Sequence, residues 1–186
     1  MFRLILFLSL FPVAIALLLR WWFGARILKS VGTQNCRCDL NTWPATPDEP
    51  NATHRAEATA AVFGQQLRDR ALIAWKNADP KAAKARESCR RFGTAVPPLS
   101  AMVAVLAVIV GKIPIIGALA ILLGATAIAA AMNLMSLPSE LAIITRAAGI
   151  TRKHRHFPNS DDEDAVTRCA FAHAWDASVP AFLRWM

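Results

Sequence analysis

Two long stretches without a charged residue dominate the second half of the chain. The first runs from Phe92 to Gly111 and the second from Ile113 to Ser139, with only Lys112 between them. Each exceeds the ~18 apolar residues that indicate a membrane-spanning helix, and the gap has room only for a turn. The pattern predicts a two-span helical hairpin over residues 95–139. Glu140 follows directly, so a carboxylate lies where the second span leaves the membrane.

A third apolar stretch lies at the N-terminus. Residues 4–19 carry no charge and are followed by Arg20, Trp21 and Trp22. A cleavable signal peptide needs small residues after its apolar core, and Arg-Trp-Trp-Phe lacks them. Tryptophan and arginine are instead typical of the interface between membrane and water. Residues 1–24 are therefore predicted to form an uncleaved transmembrane anchor.

The segment between the anchor and the hairpin is polar. Residues 25–51 are rich in Asn, Pro, Thr and Asp and are expected to form an irregular linker. Residues 52–94 are expected to form a cytoplasmic helical region. Its first helix is amphipathic, with Thr53 as the predicted N-cap, and continues to Asn77. A second, strongly basic helix over residues 81–91 is predicted to lie on the anionic membrane surface.

Residues 140–186 are predicted to contain a short helix, a loop and a last helix. The loop carries Arg152-Lys153-His154-Arg155-His156, which we interpret as a solvated turn facing lipid, since two histidines beside three cations make a poor metal site. The acidic cluster at 161–164 suits the positive end of a helix dipole. The last helix, 165–186, is predicted to be amphipathic and packed against the others, or partly inserted in the membrane.

Composition places the chain among membrane proteins. It has 186 residues, 55% of them hydrophobic, and a formal charge of +8. In a soluble protein that charge favours nucleic acid as a partner, but here the cations flank apolar runs, where the positive-inside rule explains them. We expect membrane lipids and no nucleic acid. The predicted fold class is an all-α membrane protein with an N-terminal anchor helix, cytoplasmic amphipathic helices, a two-span hairpin and the C-terminal helix.

The distribution of cations also predicts an orientation. Lys112 is the only charge at the hairpin turn, whereas Arg20 and Arg26 follow the anchor, Arg90 precedes the hairpin and Arg152 follows it. Cytoplasmic segments next to spans are enriched in Lys and Arg. The main loop and the C-terminal region are therefore predicted to be cytoplasmic in a multi-pass protein.

Four cysteines are present, at positions 36, 38, 89 and 169. All fall in segments placed in the cytoplasm, where disulfides are rare. Two thiolates spaced as Cys36 and Cys38 could supply half of a metal site, but no pair of His or Cys lies nearby to complete four ligands. We interpret them as reduced thiols.

The order of these segments resembles a known family. The most specific match is Leu137-Pro138-Ser139-Glu140 with Arg146-Ala147, which is similar to the Leu-Pro-x-Glu-Phe-Asp-Ala-Ser-x-Arg-Ala segment of the YugP-like membrane-bound neutral zinc metallopeptidases. The resemblance covers roughly residue 62 to the C-terminus. It implies a bacterial inner (plasma) membrane location and, at Glu140, the third ligand of a zinc ion.

The zinc-binding motif of that family is missing. Zinc peptidases carry H-E-x-x-H on a helix, where the histidines bind the metal and the glutamate activates water. No such motif occurs in this sequence. Alignment through Phe92-Gly93-Thr94 implies that Gln65 and Asp69 replace the histidines and that Gln66 replaces the base. An amide is a weak zinc ligand and cannot shuttle a proton, so we predict no catalytic residue, no bound metal and no cofactor.

Glu140 has two interpretations after that loss. It forms a structural ion pair with Arg68 or Arg70, which we favour, or it is an idle carboxylate at the end of a span. The leading functional hypothesis is a catalytically inactive, peptidase-like membrane protein that acts through protein interaction, assembly or regulation. The alternatives are a divergent but active membrane zinc metallopeptidase and a small structural, accessory subunit of a larger membrane complex.

Small residues on the second span offer one candidate contact surface. They are Gly117, Ala120, Gly124 and Ala127, and such residues allow two helices to approach closely. A partner helix is one possible occupant, while packing within the hairpin is the favoured one.

Overall fold

The structure is a computed structural model, and it describes residues 2–39 and 56–179. The helices are α1 (Phe2–Leu19), a π-helical turn (Arg20–Ala25), α2 (Arg26–Ser30), α3 (Ala60–Ala78), α4 (Pro80–Ile109), α5 (Ile115–Lys153) and α6 (Ser160–Ser178). Two short strands, β1 (Asn35–Arg37) and β2 (Glu57–Thr59), complete the described elements. Three helical stretches are long and apolar enough to cross a membrane, namely Phe7–Ser30, Pro80–Ile109 and Ile115–Lys153. The prediction of three apolar helices long enough to span a membrane is therefore confirmed.

The hairpin forms as predicted, with its turn at Gly111. The φ angle of Gly111 is +71°, a left-handed conformation that costs glycine little. α4 and α5 then pack side by side, and at Gly93 they approach so closely that a Cβ would lie 2.8 Å from Asn133 Nδ2. A larger residue at Gly93 would therefore have to displace the Asn133 side chain.

The predicted break between a basic surface helix and the second span is wrong. Residues 81–91 form the first part of α4, which continues through Pro97 and Pro98. Asp79 is the N-cap of α4, and its side chain accepts a hydrogen bond from Ala82 N at 3.1 Å. Prolines are tolerated inside membrane helices because neighbouring groups compensate for the lost backbone bonds, and Pro97 is buried against the bundle.

α5 likewise continues past the predicted end of the span. It contains Pro138 and runs through Glu140 and Gly149 to Lys153, so the predicted short helix after Glu140 is the last part of α5. Leu137 and Ile144 of this part are buried in the main hydrophobic core, and this packing holds the helix beyond the apolar run. Glu140 is therefore presented from the middle of a rigid helix.

The described chain is mostly helical, as predicted, but it also contains one small sheet that the sequence did not indicate. β1 pairs with β2 in an antiparallel sheet in which Cys36 lies opposite Ala58. In β1, Cys36 is buried in the core and its two neighbours are exposed. The local composition of this segment does not indicate that burial. Residues 57–59 are consequently extended, and α3 begins at Ala60 with Thr59 as its N-cap. The predicted cap at Thr53 lies outside the described residues.

α3 and α6 cross at very short range and form the main core with β1 and α5. A Cβ on Gly64 would lie 2.6 Å from Cys169 Cβ, so the crossing requires glycine. α6 begins at Ser160, capped by the Asn159 side chain, and its first turn contains the predicted acidic residues. The helix starts five residues before the predicted position 165, and it packs against the other helices as expected. Residues 180–186 of the predicted helix lie outside the described residues.

The basic turn before α6 is exposed at residues 152–155 and packs against protein from His156 onward. Its predicted position facing lipid stays a prediction. His156 is 6% exposed and Phe157 is 4% exposed. Phe157 meets Phe63 edge to face, with ring centroids 5.5 Å apart. Arg152 pairs with Asp164 at 2.9 Å, so the acidic first turn of α6 attracts the basic end of α5.

The small-residue face of α5 packs mainly against the anchor. A Cβ on Gly124 would lie 3.7 Å from Ser9 Oγ, and Ala127 shares a buried cluster with Val13 and Ala16. This face is consequently occupied within the chain, by α1 at these positions and not within the hairpin as favoured from sequence. The more polar elements are α3, α6 and the sheet. They pack around the part of α5 that is far from the Gly111 turn.

Candidate functional site

Glu140 is held between two arginines from two different helices. Its Oε1 accepts a hydrogen bond from Arg68 Nε of α3 at 2.7 Å. Its Oε2 accepts from Arg86 Nε at 2.8 Å and from Arg86 Nη2 at 2.5 Å. The exposed fraction of the three side chains is only 5% for Glu140, 10% for Arg68 and 13% for Arg86. We call these three residues the Glu140 clamp.

The positions of the two arginines follow from the buried faces of their helices. The buried stripe of α3 includes Gly64, Leu67, Arg68, Ala71 and Trp75, with the spacing of one helix face. Arg68 is therefore a cation inside an otherwise apolar stripe. A buried cation needs a carboxylate partner. Glu140 of α5 is the partner of Arg68.

Both oxygens of Glu140 are engaged, which makes the clamp a strong structural link. Hydrogen bonds between a guanidinium and a carboxylate are charge-assisted and are worth roughly twice a neutral hydrogen bond. The two arginines and one glutamate leave a formal charge of +1. Arg68 Nη2 is buried and makes no hydrogen bond to another group of the described chain. The clamp therefore joins α3, α4 and α5 around a single carboxylate.

The favoured interpretation of Glu140 as an ion-pair partner of Arg68 is confirmed. Arg86 was missed, because its charge was assigned to the membrane surface together with the rest of residues 81–91. A signal for it existed in the sequence. Ala82, Arg86, Cys89 and Gly93 recur at helical spacing, and small residues at this spacing indicate a face that packs closely against another helix.

The implied counterparts of a zinc site are not assembled around Glu140. Gln65 and Asp69 are exposed, whereas Arg68 occupies the face of α3 that meets Glu140. Gln66 is half-buried, and its Oε1 has no hydrogen-bond donor among the described groups. The structure thus brings Glu140 to a guanidinium instead of to Gln65 and Asp69.

This donor set does not fit zinc. A cation at Glu140 would have to displace two guanidinium groups that already bind both carboxylate oxygens, and it would be repelled by their charge. Across residues 2–39 and 56–179, no group of three or more His, Cys, Asp or Glu side chains has the geometry to hold a metal ion. We therefore derive no chemical step through a metal.

The Cys36-x-Cys38 pair lies in the core. Both thiols are free and buried, as is the thiol of Cys169 on α6. Burial, together with the nearby carboxylate of Asp162, raises the pKa of Cys36 to about 12. Burial likewise raises the pKa of Cys38 to about 11. Metal ligation and nucleophilic chemistry need the thiolate, so these environments suppress both.

Comparison with known proteins adds no family. No protein-family profile, no curated protein and no solved structure matches this chain.

Proposed function

We propose that this chain is a non-catalytic integral membrane protein that acts by binding another membrane protein in assembly or regulation. The observation that carries the proposal is the Glu140 clamp. The one carboxylate that the peptidase resemblance marks as a metal ligand is neutralised by Arg68 and Arg86. A carboxylate fixed in this way stabilises the fold and is not available as a base or a ligand.

The proposal includes an origin from a zinc metallopeptidase scaffold. Its support is the Leu137-Pro138-Ser139-Glu140 segment with Arg146-Ala147; the implied counterparts of the histidine ligands, Gln65 and Asp69, lie on the exposed face of α3. In such a scaffold, the clamp replaces the metal as the link between helices. A guanidinium from α3 then occupies the position that a ligand from the motif helix would have taken.

The partner-binding part rests on the exposed apolar surface of α4. Met102, Val103, Leu106 and Ile109 are each more than half exposed, and only 17% of the apolar span window in this helix is buried. Lipid tails are as apolar as these side chains, so a partner helix binds here through close packing and not through hydrophobic burial. The small-residue face of α5 is occupied by α1 at Gly124 and Ala127, and α4 is the span with the least buried apolar window, 17% against 22% and 28%.

We further propose a bacterial inner-membrane location with the polar layer in the cytoplasm. Lys112 is the only cation near the Gly111 turn, whereas Arg20, Arg86 and Arg152 lie at the opposite ends of the spans. This asymmetry supports the orientation through the positive-inside rule.

Metal content tests the non-catalytic part of the proposal. Purified full-length protein incubated with zinc and then desalted is expected to contain far less than one zinc per chain. The reason is that the guanidiniums of Arg68 and Arg86 occupy the carboxylate. Elemental analysis measures the ratio, and exposed Glu87→Gln is the control for adventitious binding. One zinc per chain that is retained in Glu87→Gln and lost in Glu140→Gln would support the divergent active enzyme instead.

Site-specific photo-crosslinking tests the partner-binding part. A photoreactive residue at Leu106, 56% exposed, is expected to yield one discrete protein adduct when the chain is expressed at native level in its membrane. The same residue at Ala104, 3% exposed, is the matched control and is expected to yield none. Gel mobility and mass spectrometry identify the adduct. Lipid adducts alone at Val103, Leu106 and Ile109 would contradict a partner on this face.

A further inference from the structure

We propose that the groove between α3, α4 and α5 binds one anionic phospholipid. Its headgroup phosphate is bound by Lys76 and Lys84, and one acyl chain lies in the apolar cavity beside Met135. This site goes beyond the proposed function and does not depend on it. Of the three residues of the Glu140 clamp, only Arg86 lines the groove.

The headgroup cavity is basic on both sides. It has a volume of about 580 Å3 and lies between the end of α3 and the start of α4, within the ~300–1,000 Å3 of typical ligand pockets. Lys76 comes from α3, and Lys84 and Arg90 come from α4. The side-chain amines of Lys76 and Lys84 make no hydrogen bond or ion pair with another described residue. Two amines facing one cavity attract an anion.

The remaining charges of this cavity do not cancel its positive potential. Arg86 lines the cavity but already binds Glu140. Glu87 is the one carboxylate in the lining, and it pairs with Arg91 at 2.5 Å on the exposed side of α4. Lys76 and Lys84 therefore remain to bind the phosphate.

A second, apolar cavity adjoins the basic one. It has a volume of about 330 Å3 and lies between α4 and α5, lined by small and flexible side chains such as Ala85, Cys89 and Met132. The two cavities share Trp75 and Arg86, which places them next to each other. Met135 lines the apolar cavity and is 81% exposed, so the cavity opens on the outer surface of the helices.

Both cavities lie at the boundary between the charged and the charge-free parts of these helices. The charge-free part of α4 begins at Phe92, and that of α5 ends at Ser139. On α4 both cavities are lined by residues before Phe92, such as Lys84 and Ala85, whereas on α5 the apolar cavity is lined by Met132 and Met135, inside the charge-free part. Phosphates of anionic lipids sit at the interface, with acyl chains below them. A phospholipid therefore satisfies both cavities at once, whereas a soluble phosphate leaves the apolar cavity empty.

Native mass spectrometry of the full-length protein from detergent micelles tests the headgroup site. With phosphatidylglycerol and phosphatidylcholine of identical acyl chains, we expect one phosphatidylglycerol to be retained preferentially. Lys76→Gln with Lys84→Gln is expected to weaken this binding at least about tenfold, since each Lys near an anionic headgroup contributes about fivefold. The control pair, Arg146→Gln with Lys153→Gln, removes the same charge from exposed positions outside the groove and is expected to change binding less than about twofold.

The acyl-chain part is tested separately. Ala85→Phe fills the apolar cavity and is expected to reduce phosphatidylglycerol binding while leaving the weak binding of soluble glycerophosphate unchanged. Near-ultraviolet circular dichroism checks that every variant remains folded. The proposal would be overturned if both lipids were retained equally, or if the two charge pairs caused equal losses of binding. It would also be overturned if an equal concentration of glycerophosphate displaced the lipid, or if Ala85→Phe left lipid binding unchanged.

Discussion

Replacing Glu140 with Ala is expected to lower the free energy of unfolding by about 3–5 kcal/mol, because it leaves two buried guanidinium groups without a counter-charge. Both groups bind Glu140 within 2.8 Å, and neither is more than 13% exposed. Denaturation in mixed micelles by sodium dodecyl sulfate, followed by tryptophan fluorescence, measures the change. Glu140→Gln is expected to lose most of the same stability, since an amide keeps the shape but not the charge.

A control and a rescue make this prediction specific. Glu87 also binds an arginine at 2.5 Å, but its side chain is 55% exposed, so Glu87→Ala is expected to cost no more than about 0.5 kcal/mol. Replacing the whole clamp by Arg68→Met, Arg86→Met and Glu140→Leu is expected to recover much of the loss, since apolar groups of similar volume need no counter-charge. Equal losses for Glu87→Ala and Glu140→Ala would show that the clamp is unimportant for stability.

Gly64→Val is expected to destabilise the fold by at least about 3 kcal/mol, because added methyl groups would force α3 and α6 apart. Even a single Cβ at this position would lie 2.6 Å from Cys169 Cβ and 2.8 Å from the backbone nitrogen of Ala170. A Cys169→Gly substitution would remove the contact with the Cys169 side chain. The contact with the backbone of α6 would remain unless the whole helix moved. Gly64→Ala with Cys169→Gly is therefore expected to be only a partial rescue of Gly64→Ala. The same micelle denaturation measures both.

Gly149 provides the matched control for this prediction. It also lies inside a helix, and a Cβ there would meet nothing within 4 Å. Gly149→Ala is expected to stabilise the protein by about 0.4–1 kcal/mol, because alanine restricts the unfolded chain and favours helix. A stabilising effect at both glycines would contradict the close crossing of α3 and α6.

Local patterns in the sequence were sufficient for the apolar part of the fold. The charge-free runs on either side of Lys112 predicted the two spans and the Gly111 turn. Arg20 with Trp21 and Trp22 marked the end of the apolar part of the first span. The acidic cluster before Ala165 predicted a helix N-terminus, which the structure places at Ser160. Each of these features depends on neighbours within a few residues, so each was visible in the chain itself.

Helix ends inside the polar regions were predicted less well. The apolar runs placed the hairpin at residues 95–139, but packing extends α4 back to Pro80 and α5 on to Lys153. Residues 57–59 resembled the start of a helix, yet they pair with residues 35–37 as a strand. Such pairing depends on a partner some twenty residues away, which local propensity does not contain.

The sequence by itself determined that this is a helical protein with three apolar spans, a tight hairpin turn and a carboxylate at the exit of the last span. Only the tertiary structure decided what that carboxylate does. Glu140 lies 72 residues from Arg68 and 54 residues from Arg86, and it meets both because three helices pack around it. Apolar runs follow from the hydrophobicity of adjacent residues, whereas a buried charge finds its partner only through the packing of the whole chain.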